Sequence, residues 1–108
     1  MRYQLAIPLL LLLGLPQAAV AGDLAVTLAV QDGGFVPAEP AVPVDTRVRL
    51  EVANETGAAI EFESFDLNRE RVIPAGQKAT IYLSGLPGGR YEFFDDFHQE
   101  RRGALLVR

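Results

Sequence analysis

No cysteine occurs in the 108 residues, which excludes disulfide staples, thiolate nucleophiles, thiolate metal ligands and lipid attachment at an N-terminal cysteine. With one histidine and no glycine-rich phosphate loop, the chain offers no defensible nucleophile–base pair, and it is expected not to be an enzyme. A carboxylate pair of Glu61 with Asp95 is conceivable as a hydrolase site, but nothing in the spacing recommends it. A retained membrane-spanning anchor is not expected either. The apolar stretch through Leu5, Ile7 and Leu9 to Leu13 is interrupted by Pro8, Gly14 and Pro16 and falls short of the roughly 20 residues a spanning helix needs.

That stretch follows Arg2 and ends in the small-residue segment Gln17-Ala18-Ala19-Val20-Ala21, the layout of a secretory signal with an A-x-A cleavage site. Residues 1–21 are therefore expected to be a signal peptide, residues 22–108 a single small domain, and the location periplasmic with no membrane span in the mature protein. The segment 1–21 holds one of the 10 Lys/Arg and none of the 14 Asp/Glu, so the remainder carries a formal charge of −5. An acidic surface disfavours nucleic acid and anionic membranes as partners and suits cations or basic protein surfaces.

Alternation with period two recurs along the remainder. Leu24, Val26, Leu28 and Val30 mark one strand, and Val48, Leu50 and Val52 a second with Arg49 and Glu51 on its wet side. Further strands are expected at 35–37, 59–65, 78–83, 90–94 and 103–107, separated by Asp32-Gly33-Gly34, Asn54-Glu55-Thr56-Gly57, Pro74-Ala75-Gly76 and Leu86-Pro87-Gly88-Gly89. Residues 66–71 read as one short helical turn and 94–101 as a loop. About seven strands with Gly/Pro turns and no long helical period predict an all-β, antiparallel Greek-key sandwich.

Two segments concentrate chemistry: Glu61-Phe62-Glu63-Ser64-Phe65, and Tyr91-Glu92-Phe93-Phe94-Asp95-Asp96-Phe97-His98-Gln99-Glu100. Carboxylates set among aromatic rings repel one another when desolvated unless a cation or protons neutralise them. The candidate ligands are Glu61, Glu63, Asp95, Asp96, His98 and Glu100. Their spacing admits a metal, but each has an ordinary alternative. Glu61 and Glu63 alternate with Ile60 and Phe62, as the solvent face of a strand does, and Asp95-Asp96 is a common strand-end pair.

The phrases Val72-Ile73-Pro74-Ala75-Gly76, Leu86-Pro87-Gly88-Gly89-Arg90-Tyr91-Glu92-Phe93 and Gly103-Ala104-Leu105-Leu106-Val107 resemble a cupredoxin. Glu61-Phe62-Glu63-Ser64, Tyr91 to His98 and Arg102-Gly103 are similar, more narrowly, to the small periplasmic cupredoxin-like domains associated with bacterial high-affinity iron permeases. The resemblance implies that Asp95 stands at the copper-ligating Cys position, His98 at the loop His, Glu61 at the upstream His, and Glu100 or Arg101 near the Met. Without a thiolate, blue-copper electron transfer is not expected. An oxygen-rich set with one imidazole admits Fe(III) or Cu(II) and disfavours Cu(I). The function so implied is a metal-binding accessory of an uptake system, with an inner-membrane iron permease or another uptake component as partner. The competing expectation is a degenerate, metal-free scaffold in which Arg101 or Arg102 pairs with Asp95, Asp96 or Glu100.

Overall fold

A computed structural model describes residues 23–108. The expected signal peptide, 1–21, lies outside the described residues.

Among the described residues nine strands follow one another: β1 Leu24–Gln31, β2 Gly34–Val36, β3 Ala41–Val42, β4 Val48–Asn54, β5 Ile60–Ser64, β6 Arg69–Ile73, β7 Lys78–Leu83, β8 Gly89–Asp95 and β9 His98–Val107. They form two sheets, one in the order β2-β1-β4-β7 and the other β3-β9-β8-β5-β6. Their inner faces enclose Leu28, Val30, Leu50, Val52, Ile60, Phe62, Ile73, Phe93 and Leu105, each almost entirely withdrawn from solvent. Phe62 and Phe93 lie 5.3 Å apart between ring centroids, and Phe35 meets Phe93 edge-on at 4.8 Å. Burial of such a side chain stabilises by about 1.5–3 kcal/mol, so this aromatic group at the β2–β5–β8 end anchors the region where the candidate ligands sit.

The all-β sandwich is as expected, with differences that trace to what alternation cannot encode. β1 pairs with β4 in parallel, and β3 with β9 likewise, so the sheets are mixed and not purely antiparallel. An alternating pattern tells which residues face inward and is silent on strand direction. Residues 66–71 are not a helical turn. Phe65–Asn68 forms the turn of a hairpin, with Asn68 at φ 57, a left-handed conformation that asparagine tolerates. The chain then runs back along β5 as β6. Arg69 and Arg71 on β6 donate to the Tyr82 and Thr80 carbonyls of β7, at 3.1 and 3.4 Å, tying the edge of one sheet to the other.

The expected 94–101 loop is mostly strand. β9 begins at His98, which pairs with Asp95, and only Asp96 and Phe97 turn the corner. The Asp95 side chain makes so tight a turn possible, because its Oδ1 accepts the Phe97 backbone N–H at 3.0 Å, an aspartate turn of the ordinary kind. At Gly103 a Cβ would lie 2.6 Å from the Phe93 ring and 2.5 Å from the Ala38 carbonyl oxygen, so glycine is required where β9 passes the core.

Candidate functional site

β5 and β8 meet in the register Phe62↔Asp95 and Glu63↔Phe94. The two segments singled out in the sequence are therefore neighbours at one end of the sandwich. Side chains of a cross-strand pair share a face. Asp95 accordingly points inward with Phe62, while Glu61 and Glu63 point outward with Phe94. The six candidate ligands fall into two groups.

On the inner side, Asp95 is fully buried. Its Oδ1 accepts the Glu61 backbone N–H and the Phe97 N–H, both at 3.0 Å, and its Oδ2 accepts Arg101 Nη1 at 3.0 Å. His98 Nδ1 lies 3.7 Å from the same Oδ2, with the imidazole half exposed. The Arg101 side chain is only 9% exposed. Its Nε donates to the Asp32 carbonyl at 3.3 Å, and Nη2 lies 3.6 Å from the Asp32 carboxylate in the β1–β2 turn. Three of roughly four acceptor sites on Asp95 are thus taken, one of them by a full positive charge. An exposed pair of this kind stabilises by about 0–1 kcal/mol; this pair is interior, where loss of one partner strands the other charge.

The outer side holds the second group. Glu61 and Glu63 of β5 and Glu70 of β6 each place a carboxylate oxygen within 4.8 Å of the others. Asp96 adjoins them: its backbone N–H donates to the Glu61 carbonyl at 2.8 Å, and its Oδ1 accepts from Gln99. Partial desolvation and then repulsion from Glu70, Glu63 and Asp96 raise the Glu61 pKa above the ordinary 4.5, with a hydrogen bond to Asp96 adding to the rise. Partial desolvation, then Glu70 and Asp96, raise that of Glu63. Among the described residues, no ion pair within 4.0 Å involves Glu61, Glu63 or Glu70. Glu100 is exposed on β9 and likewise lies outside those pairs.

Glu70 escaped the sequence reading because it was placed in a helical turn. A four-residue turn at 65–68 puts Glu70 directly across from Glu63. The alternating Glu61 and Glu63 followed by Asp66-Leu67-Asn68 was the available signal.

The family described as the cupredoxin-like domain matches residues 4–107. The chain belongs to that family. It is 37% identical over 84 residues to the uncharacterized protein RP394 of Rickettsia prowazekii (strain Madrid E), covering 78% of this chain and 67% of that one. Among solved structures it resembles the metal-binding domain, with Cu(I), of the Cu(I)-exporting P-type ATPase CopA of Streptococcus pneumoniae. The TM-score is 0.74 at 15% identity, over 84% of this chain and 91% of that one. It also resembles a purple cupredoxin from Nitrosopumilus maritimus, with a TM-score of 0.55 at 21% identity, over 76% and 98%, and a reduced amicyanin variant, with a TM-score of 0.61 at 18% identity, over 78% and 82%. These likenesses establish the fold.

Copper of the kind the family implies does not fit the buried surroundings of Asp95. No cysteine is present to supply a thiolate, Glu61 meets Asp95 only through its backbone N–H, and the Arg101 guanidinium lies against the Asp95 carboxylate where a cation would bind.

Proposed function

We propose that this domain is an exported, periplasmic metal-binding accessory of a metal uptake system, and that it holds a hard cation such as Fe(III) on the outer face of the five-stranded sheet. The observation that carries the reading is the convergence of Glu61, Glu63 and Glu70 within 4.8 Å, with no ion pair within 4.0 Å to any of them among the described residues. Carboxylate oxygens bind hard cations at about 2.0–2.6 Å, so oxygens sharing one ion lie about 3–5 Å apart. Small rotations of long glutamate side chains would close the set, with Asp96 as a flanking donor. The resemblance to domains associated with iron permeases favours an inner-membrane permease as the partner that would receive the ion. Electron transfer and catalysis have no place in this reading, because neither a thiolate nor a nucleophile–base pair is at hand.

Isothermal titration of the mature protein with Fe(III) supplied as its nitrilotriacetate complex, and separately with Cu(II), tests it. Saturable binding is expected in the wild type and in His98→Ala, and is expected to vanish in Glu63→Gln/Glu70→Gln. Absence of saturable heat, or a loss in His98→Ala that matches the loss in the double variant, would defeat the proposal.

A second reading is favoured by one observation, the buried pairing of Arg101 with Asp95. It holds that the domain is a metal-free scaffold or interaction module. Wild-type protein silent toward both metals, with Arg101→Ala gaining Cu(II) affinity through Asp95 and His98, would select this reading.

A further inference from the structure

Beside the carboxylates, on the outer face of β8 and β9, lies a shallow groove of about 270 Å³ whose lining includes Phe65, Phe94, Asp66, Glu92, Asp96 and Arg102. Its floor is aromatic. Phe65 meets Phe94 edge-on, with centroids 5.6 Å apart and planes at 63°, yet Phe65 is 78% exposed. An exposed ring of this size at a turn tip gains nothing for the fold by burial. Its rim is acidic. Glu92 has a partner at 3.4 Å in Arg90, while Asp66 accepts the Glu92 backbone N–H and Asp96 meets the Gln99 amide and the Glu61 carboxyl, and among the described residues neither aspartate has an ion pair within 4.0 Å. Within the groove, the guanidinium of Arg102 lies 4.8 Å over the Phe94 ring.

We propose that this groove docks an arginine-bearing segment of a protein partner, with the partner's guanidinium stacked on Phe65 as the chain's own Arg102 is stacked on Phe94. Charge complementarity selects the occupant. Three carboxylates against one resident arginine on the groove, and a surplus of acidic groups over the whole chain, attract a cation and repel nucleic acid, anionic lipid and a second copy of this chain. The aromatic floor selects arginine over lysine, since a planar guanidinium stacks on a ring while offering its N–H fork sideways to carboxylates. A single such anchor on an open groove makes a weak, fast-exchanging contact, suited to a domain that meets its partner repeatedly. The proposal does not depend on metal binding.

A titration of the 15N-labelled protein in EDTA with a capped peptide of alternating arginine and glycine tests it. Amide shifts are expected to cluster at Phe65, Asp66, 92–96 and Arg102, to weaken with salt, and to disappear with a peptide in which citrulline replaces arginine. Phe65→Ala, at an exposed position, should keep the native spectrum and bind about two- to fivefold more weakly, the size of an exposed cation–π contact. Glu92→Gln/Asp96→Asn should weaken binding further. Glu63→Gln/Glu70→Gln should leave it within twofold of wild type, which separates docking from metal capture. Shifts spread over both sheets, shifts centred on the four-stranded sheet, no shifts at millimolar peptide, or unchanged affinity in Phe65→Ala would each overturn the assignment.

Discussion

Asp95 and Glu61 are neighbours across two paired strands, yet they meet opposite fates. Asp95 faces the core, is closed to water, and is matched by two backbone N–H groups and a guanidinium. Glu61 faces outward, where partial desolvation and then the neighbouring carboxylates push its pKa up. The residue serves both faces, since the Glu61 N–H donates to Asp95 while its side chain meets only other carboxylates, Asp96 by a hydrogen bond. A strand can therefore carry one carboxylate as structure and the next as an available ligand, with the pleat deciding which is which.

The sharpest way to break that contrast is to strand the buried charge. Arg101→Ala should lower unfolding free energy by about 3–5 kcal/mol, the usual cost of removing one member of a buried pair, measured by urea denaturation. Adding Asp95→Asn should return part of the loss; a cost below 1 kcal/mol for the single variant would mean water replaces the guanidinium. On the outer face, a cation at 100 times its dissociation constant should stabilise the wild type by about 2.7 kcal/mol. The corresponding rise in melting temperature should be absent from Glu63→Gln/Glu70→Gln. Gly103→Ala, which disturbs the core shared by both faces, should cost about 1–3 kcal/mol by overpacking against Phe93 and Ala38. That variant should leave metal binding intact once folded.

The smallest effect concerns pH. Because the folded protein holds protons on Glu61 and Glu63 more tightly than the unfolded chain does, their contribution is fully favourable below the ordinary value of 4.5. It is lost as pH rises through their raised folded values. Neutral pH is where the repulsion is complete. Glu61→Gln should consequently raise the melting temperature slightly at pH 7 and give no gain near pH 4, as differential scanning calorimetry would show.

Much of this was legible in the chain. Val48, Leu50 and Val52, or Ile60 and Phe62, alternate strictly, and burial on one face follows from that spacing. The same rule carried through Tyr91 and Phe93 would have sent Asp95 inward, had the segment been read as a strand continuing past Phe94. Two adjacent aspartates suit a turn, and the turn is indeed there, only two residues long. Glu70 was hidden for a different reason: a five-residue edge strand rich in Arg and Glu has almost no apolar signal of its own, and its direction is set by the hairpin before it. The partnership of Arg101 with Asp95 was anticipated as a competitor to metal, but its depth was not, since burial depends on Asp32 arriving from a strand pair nearly seventy positions away in sequence.

Arg101 also has a mechanical meaning. One planar group grips the turn between β1 and β2 with one edge and the end of β8 with another, so the two layers are riveted at that rim. Prising them apart requires both grips to release together. Amides of the β8–β9 corner and of the β1–β2 turn should then exchange with solvent only when the whole domain opens, even though both are short turns at the surface, where independent fraying is the norm.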